Sequence, residues 1–406
     1  MNPLGWAGYG AQLGRARSKT GHDESVSWER RTDAVAISFD FRFLGGSVGT
    51  ATGDLVEEAF TDAREEGLPV VSVIATGGSR MQEGMASLRQ LQRIAYLCSQ
   101  HADVGLPHVS VLCDPTTGGI WASLGASADV VLAVPGAQVG FAGSRVRPGP
   151  DPAYTSEGQF AAGAVDLVVP PQELGGVLGT LLPLLMGGDL RPASVPRALG
   201  RTDLPVDGWD AVVRARAPER PRAGAYLDDF FSVRVPFSGD RAGGVDPGML
   251  CGIGLHEGRA VVYAAQTGTA NTPAGFRTAS RVVRLAERLG LPVLTLVDTP
   301  GAANDAAAER AGIGPAIAGL FGAVAAARVP ITTLVIGEGG SGGALALSSP
   351  DQTWIAPDAY FSVIAPELAA AILKRDPDQV AATADQLKLR PQDLVELGIV
   401  RGVAGP

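Results

Sequence analysis

The sequence predicts an α/β protein of two tandem domains built on one plan, and three observations predict it. The first is length, because 406 residues exceed one ordinary hydrophobic core and suit two domains of roughly 200 residues each. The second is composition: 46% hydrophobic residues with 54 Gly and 29 Pro describe a large core joined by many tight loops. The third is an internal repeat, which also locates the elements.

The segment Leu68-Pro-Val-Val-Ser-Val-Ile-Ala-Thr-Gly-Gly matches Leu291-Pro-Val-Leu-Thr-Leu-Val-Asp-Thr-Pro-Gly in the other half of the chain. Each follows a helical stretch, Ala51 to Glu66 and Ala279 to Leu289, then a Gly-Leu-Pro break, and each reads as a strand running into a Gly-rich loop. At the same offset that separates Leu68 from Leu291, Pro107 leads into a strand His108 to Cys113 and Pro330 into a strand Ile331 to Ile336. Glycine-rich turns follow, Asp114-Pro-Thr-Thr-Gly-Gly and Gly337-Glu-Gly-Gly-Ser-Gly-Gly, each before a small-residue helix start. One more strand, Ala128 to Pro135 and Asp351 to Pro357, completes each repeat. The stretch from Arg191 to Gly224 is rich in Pro, Arg and Asp, with one short amphipathic piece around Trp209 to Val213, and reads as linker. The expected organisation is an N-terminal extension over 1–24, a first domain over 25–185, a linker over 186–223 and a second domain over 224–406.

Several function classes are excluded by what the chain carries. A formal charge of −9 with no Lys/Arg run argues against nucleic acid as a partner, since phosphate contacts need a concentrated basic surface. The longest apolar stretches, such as Val104 to Leu112 and Val329 to Ile336, are too short to span a bilayer. No apolar run near the N-terminus reads as a secretory signal, so the expected location is the cytoplasm. Cys98, Cys113 and Cys251 are scattered in apolar segments and read as buried filler, with no zinc site. The four histidines, His22, His101, His108 and His256, stand in neither HExxH nor GxSxG surroundings, which argues against a hydrolytic triad. The loop at Gly337 lacks the Lys-Ser/Thr of a phosphate-binding loop and is not a first-strand GxGxxG. Ser341 within it has no evident base and reads as a turn residue.

What remains is chemistry made of backbone. A strand that ends in Gly-Gly before a helix leaves unpaired N–H groups where an anion or oxyanion can sit. Glycine suits the position because a ligand oxygen must approach to about 3 Å and a Cβ would obstruct it. One such turn can equally be a tight connection; two at matched positions of a duplicated unit favour a site.

At these residues the chain resembles the carboxyltransferase component of acetyl-CoA and related acyl-CoA carboxylases. The first half is similar to the bacterial β subunit through Asp40-Phe-Arg-Phe-Leu-Gly-Gly-Ser-Val-Gly, Thr76-Gly-Gly-Ser-Arg-Met-Gln-Glu-Gly, Leu112-Cys-Asp-Pro-Thr-Thr-Gly-Gly and Val139-Gly-Phe-Ala-Gly-Ser-Arg-Val. The second is similar to the α subunit through Phe276-Arg-Thr-Ala-Ser-Arg, Val297-Asp-Thr-Pro-Gly-Ala, Val335-Ile-Gly-Glu-Gly-Gly-Ser-Gly-Gly-Ala-Leu-Ala, Phe361-Ser-Val-Ile-Ala-Pro-Glu and Leu394-Val-Glu-Leu-Gly-Ile-Val. The resemblance implies two tandem crotonase (ClpP/crotonase-like) domains fused in one chain.

It also implies a mechanism that needs no side-chain base: carboxybiotin releases CO₂, the biotin enolate takes the α-proton of a short acyl-CoA, and the thioester enolate attacks CO₂. Each enolate then requires its own oxyanion hole. The family pattern puts Gly118 and Gly119 at the acyl thioester, and Gly342 and Gly343, with Ala344 beside them, at biotin. It sets Gly77, Gly78 and Arg80 on the CoA side, where an Arg fork suits phosphate, and Gly301 and Ser341 on the biotin side. Glu83 is expected to cap or pack, and the turn at Asp298 to be structural.

The chain departs from the family in lacking a four-cysteine zinc ribbon, so no metal is expected, and in lacking a Met-Lys-Met biotinylation segment and an ATP-binding domain. The expected partners are a separate biotin carboxyl carrier protein, a biotin carboxylase and further copies of the chain, as a dimer or trimer of dimers. Two alternatives share the fold: a malonyl-thioester decarboxylase and a non-catalytic acyl-CoA-binding scaffold.

Overall fold

The computed structural model describes residues 2–406. The chain divides into two units, the first running to Met186 and including Arg241–Gly243, the second comprising Gly187–Asp240 and Gly244–Pro406.

The first unit holds a seven-stranded sheet of β1 (Val26–Arg30), β2 (Val35–Phe39), β3 (Val70–Thr76), β4 (His108–Thr117), β5 (Val130–Ala133), β6 (Val139–Gly140) and β7 (Leu167–Val168), in the order β1-β2-β3-β4-β5-β7 with β6 paired to β4. Only β1 and β2 pair antiparallel. The second unit repeats the core of this sheet, with an added antiparallel edge strand and no counterpart of β7: β8 (Val233–Phe237), β9 (Met249–His256), β10 (Arg259–Gln266), β11 (Val293–Thr299), β12 (Ile331–Gly340), β13 (Thr353–Ile355) and β14 (Tyr360–Ser362), in the order β13-β12-β11-β10-β9-β8 with β14 paired to β12.

The central strands are apolar on both faces, as parallel strands covered by helices must be: every residue of β11 is buried, and so are five of the seven in β3. The helix Thr50–Glu66 buries Val56, Ala59, Phe60 and Ala63 on one stripe. Its counterpart Pro273–Leu289 opens with Pro at a position where no amide hydrogen is needed and buries Phe276, Ala279, Val282, Val283 and Ala286. Each fully buried Val, Leu, Ile or Phe contributes about 1.5–3 kcal/mol of transfer free energy. Both helices end alike, at Gly67 and Gly290, each with φ 66° and ψ 36° and an N–H donated to the last turn. The left-handed conformation explains why glycine stands at both.

The repeat also fixes how the central strands end. The β3–β4 register breaks between Ile74 and Thr76, where Leu112 gives way to Thr116; the β11–β12 register breaks between Val297 and Thr299, where Val335 gives way to Gly339. Two extra residues on β4 and β12 carry each strand past the sheet to pair with β6 and β14. The strands are therefore longer than periodicity predicts, and Asp114–Thr117 and Gly337–Gly340, expected as turns, are extended backbone. The turns themselves come at Gly118 and Ser341, matched positions of the repeat, both left-handed at φ 77° and 58°.

The segment read from composition as linker clusters with the second unit. It forms the helix Gly208–Arg216 and leads into the helix Ala223–Phe230, and the first buries Ala211, Val212 and Ala215 against Tyr360, Ala384 and Leu389. Its abundant Arg and Asp are consumed in local pairs such as Arg214–Asp210 and Arg201–Asp203, so a polar composition conceals an ordered element.

Candidate active site

In the first unit the β3 loop and the β4 turn meet at Gly78 and Gly118. A Cβ on Gly118 would lie 3.1 Å from the Gly78 Cα, a tight approach, and both glycines have positive φ, 77° at Gly118 and 104° at Gly78, which side chains rarely adopt. The N–H groups in this corner divide into occupied and free. Gly77 donates to the Gly45 carbonyl at 2.8 Å, Gly78 to Thr76 Oγ1 at 3.0 Å and Gly118 to the Gly140 carbonyl at 3.1 Å. The donor role expected of Gly118 is thus closed to it, and its contribution is the left-handed turn. Among the described residues, the N–H groups of Ser79 and Gly119 have no partner.

The second unit repeats the arrangement. Gly301, with φ 143°, donates to Thr299 Oγ1 at 3.1 Å. A Cβ on Gly343 would stand 2.6 Å from the Ala302 nitrogen, which places the first turn of the helix Ser341–Leu345 against that loop. Among the described residues, no partner is found for the N–H groups of Ala302, Gly342 or Gly343, while that of Ala344, the fourth in the helix, is taken by the helix itself. Sequence reading located the glycines and missed Ser79 and Ala302. Their signal was available only as spacing, since the two stand at matched positions of the repeat and form the equivalent isolated bridges Val48 with Ser79 and Asn271 with Ala302.

Arg80 needs correction. Its guanidinium is 1% exposed, so it is neither a surface arginine nor free for a phosphate. It pairs with Glu24 through both terminal nitrogens, donates to the Ser47 carbonyl at 2.6 Å, approaches Tyr9 Oη and Glu83 Oε1 at 3.3 and 3.4 Å, and lies over the Phe43 ring. Glu83 accepts from Tyr9 Oη at 2.6 Å, the Thr50 N–H at 2.7 Å and Thr50 Oγ1 at 2.9 Å. Burial pushes the Glu83 carboxyl up, and the hydrogen bonds from Tyr9 and Thr50 together with the Arg80 charge outweigh it, so it stays below the usual range. This network fastens the N-terminal helix Tyr9–Thr20 to the loop that carries Gly77 and Gly78.

The corresponding support in the second unit is Asp298, fully buried, which accepts from Arg220 at 2.6 Å, Arg222 at 3.2 Å and the Glu338 N–H at 3.1 Å. Glu338 in turn holds Arg216 at 2.8 Å and Tyr360 Oη at 2.9 Å. Three arginines of the supposed linker thus brace the strand that ends in the Gly342 turn.

None of the side-chain alternatives gains support. His108 is held at about 3 by burial with His101 beside it, and its Nε2 meets Ser72 Oγ at 2.9 Å at the far end of β4 from the turn. His256 stacks on Phe230 and is fixed by Ser194 and the Phe230 carbonyl, both at 2.6 Å. Burial raises the thiols of Cys98 to about 11 and Cys251 to about 12. No hydrogen bond joins the Ser341 hydroxyl to a base among the described residues. No helix of the described residues is long and apolar enough to cross a membrane.

A doubled α/β unit whose strand ends converge on unpaired main-chain donors defines the class: a crotonase-like acyl-CoA carboxyltransferase core. The comparisons agree. Residues 31–149 match the carboxyl transferase domain, and residues 202–405 match the acetyl co-enzyme A carboxylase carboxyltransferase-like family. The acetyl-coenzyme A carboxylase carboxyl transferase subunits beta/alpha of Salinispora tropica are 40% identical over 438 residues, covering 99% of this chain and 77% of that one. Those of Saccharopolyspora erythraea are 39% identical over 419 residues, covering 97% and 74%. A Mycobacterium bovis chain described as a probable biotin-dependent acyl-coenzyme A carboxylase beta3 subunit is 34% identical over 411 residues, covering 97% and 82%. In fold, the chain is similar to transcarboxylase 12S, solved as a hexamer with methylmalonyl-coenzyme A, at TM-score 0.78 and 21% identity over 94% of this chain and 78% of that one. A single-chain long-chain acyl-CoA carboxylase gives TM-score 0.73 at 23% identity over 92% of this chain and 39% of that one.

The chain belongs to the acetyl-CoA carboxylase carboxyl transferase beta/alpha family, and it is the carboxyltransferase of a biotin-dependent acyl-CoA carboxylase.

Proposed function

We propose that the chain carboxylates the α-carbon of a short acyl-CoA, of the acetyl or propionyl kind, with the first unit holding the thioester and the second facing biotin. The N–H groups of Gly119 and Ser79 would cradle the anionic thioester oxygen. Those of Gly342 and Gly343, with Ala302, would cradle the oxygen of the biotin ureido group, with Ala344 beside them. Gly77, Gly78 and Gly118 shape the first cradle, Gly301 and Ser341 the second. Biotin, when bound, supplies the carboxyl group and the base for the α-proton. It would arrive on a carrier protein charged by a separate biotin carboxylase, in the cytoplasm, and the chain would work as a homo-oligomer, a dimer or trimer of dimers.

One observation carries this reading: both units keep free main-chain donors at equivalent turns, Ser79 and Gly119 in the first and Ala302, Gly342 and Gly343 in the second. Donors of that kind act only where charge develops, and each one lost typically raises a barrier by about 2.7–4 kcal/mol. The chain also supplies the pattern by position alone, so no histidine or serine has to move a proton.

The test is a transfer assay with carboxylated carrier protein against acetyl-, propionyl- and longer acyl-CoAs. The reading expects carboxylated short acyl-CoA to accumulate in proportion to enzyme. Finding no transfer to any acyl-CoA, or preferred transfer to long chains, overturns the substrate assignment. The mass of the native protein in solution tests the assembly, and a monomer that retains full transfer sinks that part.

A further inference from the structure

Ser79 and Ala302 carry free N–H groups although neither lies in a helix, so a helix end is not what aims them. Each stands in an isolated parallel bridge, with Val48 and Asn271 respectively, and those two residues are themselves at matched positions of the repeat. The bonds of both bridges run to the neighbours of the donor residue. Val48 donates to the Gly78 carbonyl at 2.9 Å and accepts from the Arg80 N–H at 2.8 Å; Asn271 donates to the Gly301 carbonyl at 3.3 Å and accepts from the Ala303 N–H at 2.9 Å. Such a bridge leaves the N–H and carbonyl of the residue between on the far side. The peptide bond is planar and trans, so holding the Gly301 carbonyl turns the Ala302 N–H away from Asn271. The Gly343 turn is close to that nitrogen, since a Cβ on Gly343 would stand 2.6 Å from it.

The two bridges differ in what holds them. Val48 is apolar, fully buried and part of the hydrophobic core of the first unit. Asn271 is as deeply buried, yet its Oδ1 has no partner among the described residues. An apolar residue, as at 48, would avoid that unpaired acceptor, so filling space does not account for the amide. Its donor end does: Nδ2 donates to the Gly248 carbonyl at 2.9 Å and reaches Asp246 Oδ2 at 3.4 Å. Asp246, itself buried, fixes the same loop by accepting from the Gly248 N–H and the Thr272 N–H, both at 2.8 Å. Side chains therefore tie the second bridge where packing holds the first. The Thr299 hydroxyl, 2.7 Å from the Gly301 carbonyl, shares in holding that peptide.

We propose that Asn271 is a positioning residue for carboxyl transfer: anchored through Nδ2 to the Gly248 carbonyl, it holds the bridge that sets the direction of the Ala302 N–H in the biotin-side cradle. The inference rests on the reading of that turn as an oxyanion hole. Asn271 acts through the bridge alone and gives no group of its own to the reaction.

Two variants of the full chain test it: Asn271→Leu, which keeps volume and removes the donor, and Asn271→Ala, which removes the donor without crowding. Transfer is measured from malonyl-CoA or methylmalonyl-CoA to free biotin with each substrate varied in turn, alongside transfer in the complete system and thermal unfolding. The expected result for both variants is a fall in kcat on the order of 10-fold, with KM for the CoA ester and for biotin each within twofold of wild type. The loss is smaller than the 10²- to 10³-fold typical of a deleted donor, because Thr299 still holds the Gly301 carbonyl. A general loosening of the site would raise KM instead. A folded Asn271→Leu enzyme with kcat within twofold of wild type, or with its loss confined to KM, overturns the inference. If Asn271→Leu does not fold, the same result for Asn271→Ala overturns it. Lack of transfer by the wild-type chain itself, by contrast, refutes the oxyanion-hole reading beneath it.

Discussion

Thr76 and Thr299, at matched positions of the two repeats, make the same pair of hydrogen bonds. Thr76 Oγ1 donates to the Gly46 carbonyl at 2.7 Å and accepts from the Gly78 N–H at 3.0 Å. Thr299 Oγ1 has the Thr269 carbonyl at 2.8 Å as acceptor, shared with the Gly301 carbonyl at 2.7 Å, and accepts from the Gly301 N–H at 3.1 Å. Each hydroxyl ties the end of a central strand to the loop before the preceding helix, and each is buried. Replacing either by Val keeps the shape and leaves two main-chain groups unpaired. Thr76→Val and Thr299→Val are each expected to cost about 1–3 kcal/mol, measured as a lowered denaturant midpoint. In transfer assays Thr76→Val should act on the acyl-CoA side and Thr299→Val on the biotin side.

Much of this was legible in the sequence because the repeat is held by features that composition shows. Glycine at 67 and 290 marks two helix ends, proline at 107 and 330 marks two strand starts, and runs such as Val293–Thr299 mark strands buried on both faces. What was hidden depends on partners distant in the chain. Arg80 looked like a fork for phosphate because nothing near it in sequence announces Glu24 and Tyr9. The Pro- and Arg-rich stretch looked like linker because Arg220 and Arg222 find their partner, Asp298, far along the chain. The turn at Gly118 is legible, but which N–H groups stay free there is decided by carbonyls such as that of Gly140, which no local pattern reveals.

The two cradles should tolerate an added methyl group differently. At Gly119 the methyl would meet Leu91 Cδ1, 2.1 Å away at the tip of a flexible side chain; at Gly343 it would meet main chain, the Ala302 nitrogen at 2.6 Å. Gly119→Ala is expected to cost about 1–3 kcal/mol of stability by overpacking, with Leu91→Ala in the same chain restoring part of the transfer rate. Gly343→Ala has no such remedy and should lower kcat by about 100-fold or more, as loss of a cradle donor does. Steady-state kinetics of the three variants check both expectations. Equal losses at 119 and 343, with no rescue by Leu91→Ala, would contradict them.

Tyr9 and Glu83 make stability depend on acid. Burial, then the hydrogen bond to Glu83, raises the Tyr9 hydroxyl to about 12, so it remains a donor throughout the accessible range. The Glu83 carboxyl lies below its ordinary 4.5 in the folded protein. Its contribution is therefore fully present above pH 4.5 and is lost as pH falls through the lower folded value. Tyr9→Phe removes the 2.6 Å donor and should cost about 1.5–3 kcal/mol near neutrality, the range for a bond to a charged group. The deficit should shrink below pH 4.5, where wild type also loses its bond to a carboxylate. Unfolding midpoints at a series of pH values will show whether the two curves converge.

Arg220 and Asp298 form a pair in which both partners are buried, Asp298 completely. Removing one partner of such a pair leaves the other charged and unpaired, a loss of about 3–5 kcal/mol, whereas replacing both is far less damaging. Arg220→Met is expected to fall in that range, because Arg222 at 3.2 Å is only half-buried and compensates poorly. Arg220→Met with Asp298→Asn should recover a large part of it, since Asn keeps an acceptor for the Glu338 N–H now bonded at 3.1 Å. Chemical denaturation of the single and double variants decides the point. A double variant no more stable than Arg220→Met alone would mean that Arg220 serves the fold through its bonds to the Ala215 and Ile336 carbonyls, with Asp298 a secondary partner.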